Sequence, residues 1–269
     1  MCSEMMSDRS KALFYDIDGT LLSEKTGRVP ESAVQALKEA RARGHLVFIN
    51  TGRVYSHLSL IKSLVEADGF LCGCGTYVVA EGRVLYSYHI PRERGIEIKR
   101  HIDQCGLDGA LEAVDGCHVH RSISRIPRVE QLKAALKRSG CMSPYAWEDD
   151  CYDFDKFYLL SDQNSRCKEL FGRLRDMDII DRGNGEYECV PRGHSKATAI
   201  DQVLKHYGIA LDDAYVFGDS GNDLSMFRYA TNCILMGRHS QVLEPYATFE
   251  TKDVEDDGIA YAMKELGII

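Results

Sequence analysis

The chain has 269 residues, 44% hydrophobic and 28% charged, a balance that can bury a sizeable core and excludes a disordered polypeptide. Its 33 Lys and Arg against 41 Asp and Glu leave a formal charge of −8, which argues against nucleic-acid partners because binding them needs a basic stripe. No apolar run approaches the roughly 18–20 residues of a membrane-crossing helix, so no membrane partner is expected. The opening MCSEMMSDRS lacks an apolar leader core, and ten scattered cysteines then read as reduced thiols of a cytoplasmic protein.

In chain order, residues 11–15 (KALFY) form a short apolar run typical of a buried strand. Pro30 opens a helical segment with apolar positions at Val34, Leu37 and Ala40, and Gly44 stops it. Residues 45–49 (HLVFI) are a second buried strand, 54–66 a helix and 69–72 a third strand. Strands alternating with helices predict a parallel sheet with right-handed crossovers. The rhythm then changes: residues 77–80 and 83–88 around a Glu81-Gly82 turn predict a hairpin. Between 92 and 187, helices at 92–104, 129–138 and 164–177 mix with short strands such as 157–160. Helix-then-strand order resumes at 196–207 and 214–217, and 223–229 continues it. The fold class expected is α/β, a Rossmann-like parallel core over 1–82 and 188–269 split by an inserted α+β domain at 83–187.

Asp16 and Asp18 follow the first strand in FYDIDGT, at the carboxyl end where open parallel sheets place their ligand crevice. Spaced i, i+2 in extended chain, they point the same way, and like charges that close need a cation or a reaction. Thr51 and Gly52 end the second strand, where a hydroxyl and turn amides can hold an anion. Asp219 sits at the end of strand 214–217, and Asp223 lies one turn further along a helix starting near Gly221. Lys196 opens a helix, where a cation is unfavourable unless an anionic ligand accompanies it. Carboxylates at strand ends suit Mg²⁺, while a lysine, a threonine and turn amides suit phosphoryl oxygens. No P-loop signature is present.

FYDIDGTLL, INTGR, GHSKATAI and GDSGNDLSMF resemble, in order, the four motifs of the haloacid dehalogenase superfamily of phosphatases. The insertion between the second and third resembles, in position and length, the α+β (type IIB) cap of the Cof-type subfamily, whose members mostly dephosphorylate sugar phosphates and other small phosphomonoesters. The resemblance implies Asp16 as nucleophile and Asp18 as acid and then base, with its backbone carbonyl on the metal. It implies Thr51, Gly52, Lys196 and Asn222 around the phosphoryl group. Mg²⁺ would be held by Asp16, Asp18, Asp219 and Asp223. The expected partner is a small phosphorylated metabolite, and the sequence is silent on oligomeric state. Cys74 and Arg238 stand where the subfamily frequently has Asn.

A phosphosugar mutase or phosphotransferase would use the same aspartyl-phosphate, and a metal-dependent glycosyltransferase could use D-x-D. A regulatory binding protein would not need the full set of groups. Cys72, Cys74 and the run Cys117-His118-Val119-His120 match no common zinc spacing. Glu148, Asp149, Asp150, Asp153 and Asp155 read as a solvated acidic loop.

Overall fold

The structure is a computed structural model that describes residues 9–269. The leader reading rests on residues 1–10, of which 1–8 lie outside the described residues. Two compact units are formed, Met1–Asn50 with Lys62–Gly69 and Ile200–Ile269, and Thr51–Ile61 with Phe70–Ala199.

The first unit is built on parallel strands in the spatial order Phe249–Glu250, Asn232–Leu235, Ala214–Gly218, Ala12–Tyr15, Leu46–Asn50. Strand Ala12–Tyr15 pairs on both edges and is buried at every residue, which is why it reads as an unbroken apolar run without alternation. Phe14 stacks on Phe48 at 5.1 Å between ring centroids, and Tyr15 on Phe217 at 4.4 Å. Helix Glu31–Ala42 follows Pro30 and buries Ala33, Ala36, Leu37 and Ala40, so small alanines form its inner face and Val34 only half-enters it. Helix Gly258–Glu265 packs beside it. From strand Ala12–Tyr15 the chain steps to one side first, toward Leu46–Asn50, and later to the other, toward Ala214–Gly218. That reversal opens a crevice at the carboxyl ends of the two strands carrying Asp16 and Asp219.

The second unit holds a five-stranded antiparallel sheet ordered Gly116–His118, Asp108–Ala113, Lys156–Leu160, Glu186–Pro191, Met177–Gly183. One face places Leu111, Phe157, Leu159 and Cys189 in an apolar cluster with Ile98 and Ile102 of helix Arg92–Cys105 and Leu170 of helix Cys167–Arg173. The predicted hairpin is present as Tyr77–Ala80 with Arg83–Ser87, its Glu81-Gly82 turn in positive φ at both residues.

Three expectations change in detail. The helix expected at 54–66 is a 3₁₀ turn, Tyr55–Leu58, running into a short α-helix, Ser59–Leu64. The helix expected at 164–177 is only Cys167–Arg173, because Asp162 and Ser165 hold a turn ahead of it and Met177 already belongs to a strand. The acidic run is not simply solvated. Asp149 pairs with Arg121, Asp150 with Lys99, Asp153 with Arg92, and Asp155 is buried against His89. No helix among the described residues is long and apolar enough to cross a membrane. The nine described cysteines are all free thiols.

Candidate active site

Strand Ala12–Tyr15 delivers Asp16 to the crevice, 3% exposed, with its N–H still donating to the Phe217 carbonyl at 3.1 Å. The chain then curls tightly, and the N–H groups of Thr20, Leu21 and Leu22 all aim at the Ile17 carbonyl. Gly19 has φ +83, and a Cβ there would meet the Asp219 carboxylate at 2.4 Å. Only glycine lets these two segments approach so closely. The fully buried Thr20 donates its hydroxyl to Asp219 Oδ1 at 2.7 Å and orients that carboxylate.

Asp219 follows strand Ala214–Gly218 and leads into a capping box. The fully buried Asp223 accepts the N–H groups of Asp219 and Ser220, each at 2.9 Å, and so fixes the loop. Ser220 also donates its hydroxyl to the Asn222 side-chain carbonyl. Asp16, Asp219 and Asp223 each present an oxygen within 4.8 Å of the others. Three carboxylates packed so closely repel one another, so the set suits a hard divalent cation that takes oxygen ligands. The donor chemistry therefore fits a Mg²⁺-type ion. Asp18 is half-buried and its side chain stands outside this trio. An open pocket beside Gly19 and Asp219 is also lined by Glu24, Arg238, Asp253, Val254 and Glu255, with Arg238 lying 3.8 Å from Asp253.

Thr51, Gly52 and Lys196 belong to the second unit. Buried Thr51 receives the Arg53 N–H on its hydroxyl at 3.1 Å and the Cys74 N–H on its carbonyl at 3.1 Å, so the end of the second strand closes into a turn. Lys196 is the first residue of helix Lys196–Tyr207 and is 1% exposed. Ser195 and Thr198 cap that terminus, the Ser195 N–H donating to Thr198 Oγ1 at 2.9 Å and the Thr198 N–H to Ser195 Oγ at 3.2 Å. Cys74 lies in the left-handed region, φ 53 and ψ 40, a conformation Asn tolerates well and Cys does not. Its thiol donates to Glu188 at 3.3 Å.

Sequence reasoning had not singled out Thr20 or Ser220. Thr20 was visible in the D-x-D-G-T string, while the role of Ser220 depends on the turn geometry after Asp219. The run 117–120 is not one ligand set: His118 stacks on Tyr152 and His120 on Trp147.

A sequence profile of haloacid dehalogenase-like hydrolases matches residues 13–263. The chain is 31% identical over 265 residues to YkrA of Bacillus subtilis, named a candidate phosphatase, covering 97% of this chain and 99% of that one. It is 25% identical over 280 residues to YwtE of the same organism, a 5-amino-6-(5-phospho-D-ribitylamino)uracil phosphatase, covering 95% and 98%. Among solved structures, a sugar phosphatase of subclass IIB superposes with a TM-score of 0.83 at 27% identity, covering 97% of this chain and all of that one. With its ordered motifs, its clustered aspartates and these likenesses across nearly its whole length, the chain belongs to the haloacid dehalogenase-like hydrolases, as a Cof-type phosphatase.

Proposed function

We propose that this phosphatase hydrolyses small phosphorylated metabolites, chiefly sugar phosphates, with Mg²⁺ as cofactor and Asp16 as nucleophile. The observation that carries the reading is the buried Asp16 grouped with Asp219 and Asp223 at the carboxyl ends of two neighbouring strands. The likeness to a sugar phosphatase and to a phosphoribityl-compound phosphatase supports the substrate class.

In this mechanism a carboxylate oxygen of Asp16 attacks phosphorus and forms an aspartyl-phosphate while the ester oxygen departs. Asp18 gives that oxygen its proton. It then takes a proton from water, which attacks the phosphoaspartate and returns Asp16 with free phosphate. Thr51, the amide at Gly52, Lys196 and Asn222 hold the phosphoryl oxygens and stabilise the charge spread over them. Bound by Asp16, Asp219, Asp223 and the Asp18 carbonyl, Mg²⁺ would supply charge neutralisation to the phosphoryl group. The same reading assigns 1–82 and 188–269 to the catalytic core and 83–187 to a cap that selects the leaving group. It places the protein in the cytoplasm, a setting consistent with its free thiols.

The test is phosphate release from a panel of phosphomonoesters with and without Mg²⁺. Turnover of sugar phosphates is expected, together with loss of activity in chelator. Full activity in excess chelator would overturn the metal assignment, and inertness toward every sugar phosphate would overturn the substrate class.

A further inference from the structure

A second cluster of ligand-type side chains lies wholly within the second unit. His57 comes from the 3₁₀ turn Tyr55–Leu58, Glu112 from strand Asp108–Ala113 and Cys117 from strand Gly116–His118. Glu112 and Cys117 are direct cross-strand partners on the antiparallel pair, so their side chains share one face. His57 Nε2 lies 3.1 Å from Cys117 Sγ, and one ligand atom from each residue falls within 4.8 Å of the other two. The fold brings these residues together from positions 55 and 5 apart in sequence, which no spacing motif would reveal.

We propose that His57 Nε2, Cys117 Sγ and the Glu112 carboxylate form a binding site for a borderline divalent cation of the zinc class. The donor set is one imidazole, one thiolate and one carboxylate, each a regular zinc ligand, whereas Mg²⁺ and Ca²⁺ take oxygen alone. Metal–nitrogen and metal–sulfur bonds of about 2.0–2.3 Å put neighbouring ligands of a tetrahedral site roughly 3.5 Å apart, a spacing these side chains reach by small rotations. Coordination forms the metal–nitrogen, metal–sulfur and metal–oxygen bonds and sends the Cys117 proton to solvent, with no electron transfer.

The surroundings favour the assignment. Cys141 shares the apolar cluster of Val54, Ala110 and Cys117, and its carbonyl accepts the Cys117 N–H at 2.8 Å. Its thiol is directed at the carbonyl of Ser56, the residue before His57, at 3.6 Å. Lys156 touches Glu112 and works against a cation, but it is shared with Glu188 at 2.9 Å. Burial, with Glu112 alongside, pushes the Cys117 thiol above its ordinary range. The alternative to a metal site is therefore a plain thiol–imidazole hydrogen bond.

Co²⁺ added to the full chain, with excess Mg²⁺ occupying the all-carboxylate trio, separates the two. The expected result is a thiolate-to-cobalt charge-transfer band saturating at one equivalent and displaced by Zn²⁺. Cys117→Ser should abolish the band, and Cys151→Ser, at an exposed cysteine, should leave it intact. His57→Gln should weaken Co²⁺ binding at least about tenfold, since even outer partners of a metal site cost that much. Circular dichroism checks the fold of each variant, and His57→Gln decides the matter if Cys117→Ser fails to fold. No band in the wild-type chain, a band that survives in folded Cys117→Ser, undiminished Co²⁺ binding in His57→Gln, or a band lost in Cys151→Ser would overturn the proposal. None of these outcomes bears on the role of Asp16.

Discussion

Thr20→Val isolates a single contact of the aspartate cluster. Valine keeps the volume and branching of a residue that is completely buried, and removes only the hydroxyl that donates to Asp219 Oδ1 at 2.7 Å. A hydrogen bond to a charged group contributes about 1.5–3 kcal/mol, and half-exposed Asp219 can recruit water in exchange, so the lower end applies. Unfolding in urea with chelator present should therefore show a loss of about 1–2 kcal/mol. The larger effect is expected on the metal. Losing the donor leaves more charge on the carboxylate, which favours a cation slightly, but it also frees the carboxylate to rotate. Loss of orientation from such an outer partner typically costs about 10–100-fold in affinity and should win. Titrating Mg²⁺ against phosphate release should shift half-activation upward at least about tenfold, with kcat at saturating Mg²⁺ nearly recovered. Superimposable Mg²⁺ curves for a folded Thr20→Val protein would refute the reasoning.

Asp16→Asn should fold normally and lose nearly all turnover; a variant keeping more than about a tenth of wild-type kcat would remove Asp16 from covalent chemistry. Glu188 should make stability acid-sensitive. Burial raises its carboxyl, but Lys156 and then Arg182 outweigh that and hold it down at about 2 against an ordinary 4.5. The contribution, about 3 kcal/mol, is complete above pH 4.5 and lost as pH falls toward 2, so Glu188→Gln should flatten the urea-midpoint profile in that window. Cys74→Val forces a β-branched residue into the left-handed region and should cost about 2 kcal/mol or more. Cys74→Gly relieves that backbone while losing a thiol hydrogen bond and should stay within about 1 kcal/mol of wild type, measured by urea unfolding.

Much of the first unit was legible because its strands are buried on both faces. KALFY and HLVFI are unbroken apolar runs that stop at a polar residue, and a central parallel strand stops where its crevice begins. The residue after such a run is therefore placed by the run itself, which is why the sequence alone puts Asp16 and Asp219 at the carboxyl ends of their strands. The trio's third member, Asp223, was placed one helical turn on, and the capping box explains why: its carboxylate faces back toward the amides of Asp219 and Ser220. Helix limits were less legible where tertiary contacts decide them. Residues 164–177 look helical throughout, yet the turn built by Asp162 and Ser165 and the strand pairing at Met177 take both ends away.

The inserted sheet hid its chemistry for a different reason. Strands DGALEA, KFYLL and EYECVP carry charges separated by apolar residues, and a charge on an alternating strand reads as a solvent-facing position. The antiparallel register changes its meaning. Pairing Glu112 with Lys156, and Tyr158 with Glu188, sets the Glu112, Lys156 and Glu188 side chains on one face across three strands. Lys156 and Glu188 are almost fully buried, and neither could remain ionised there alone. Lys156 is held charged because Glu112 and Glu188 outweigh its burial, and Glu188 in turn draws on Arg182 and the Cys74 thiol. Removing one member strands the others. Lys156→Met should therefore destabilise more than Glu188→Gln, since it leaves two carboxylates facing each other, whereas the glutamine leaves Lys156 its pair with Glu112. The same register also fixes Cys117 opposite Glu112, so the charge network and the proposed zinc-class site share a carboxylate. Strengthening one at Glu112 weakens the other, and the ordering of the two Lys156 and Glu188 variants should compress when Zn²⁺ is present during unfolding.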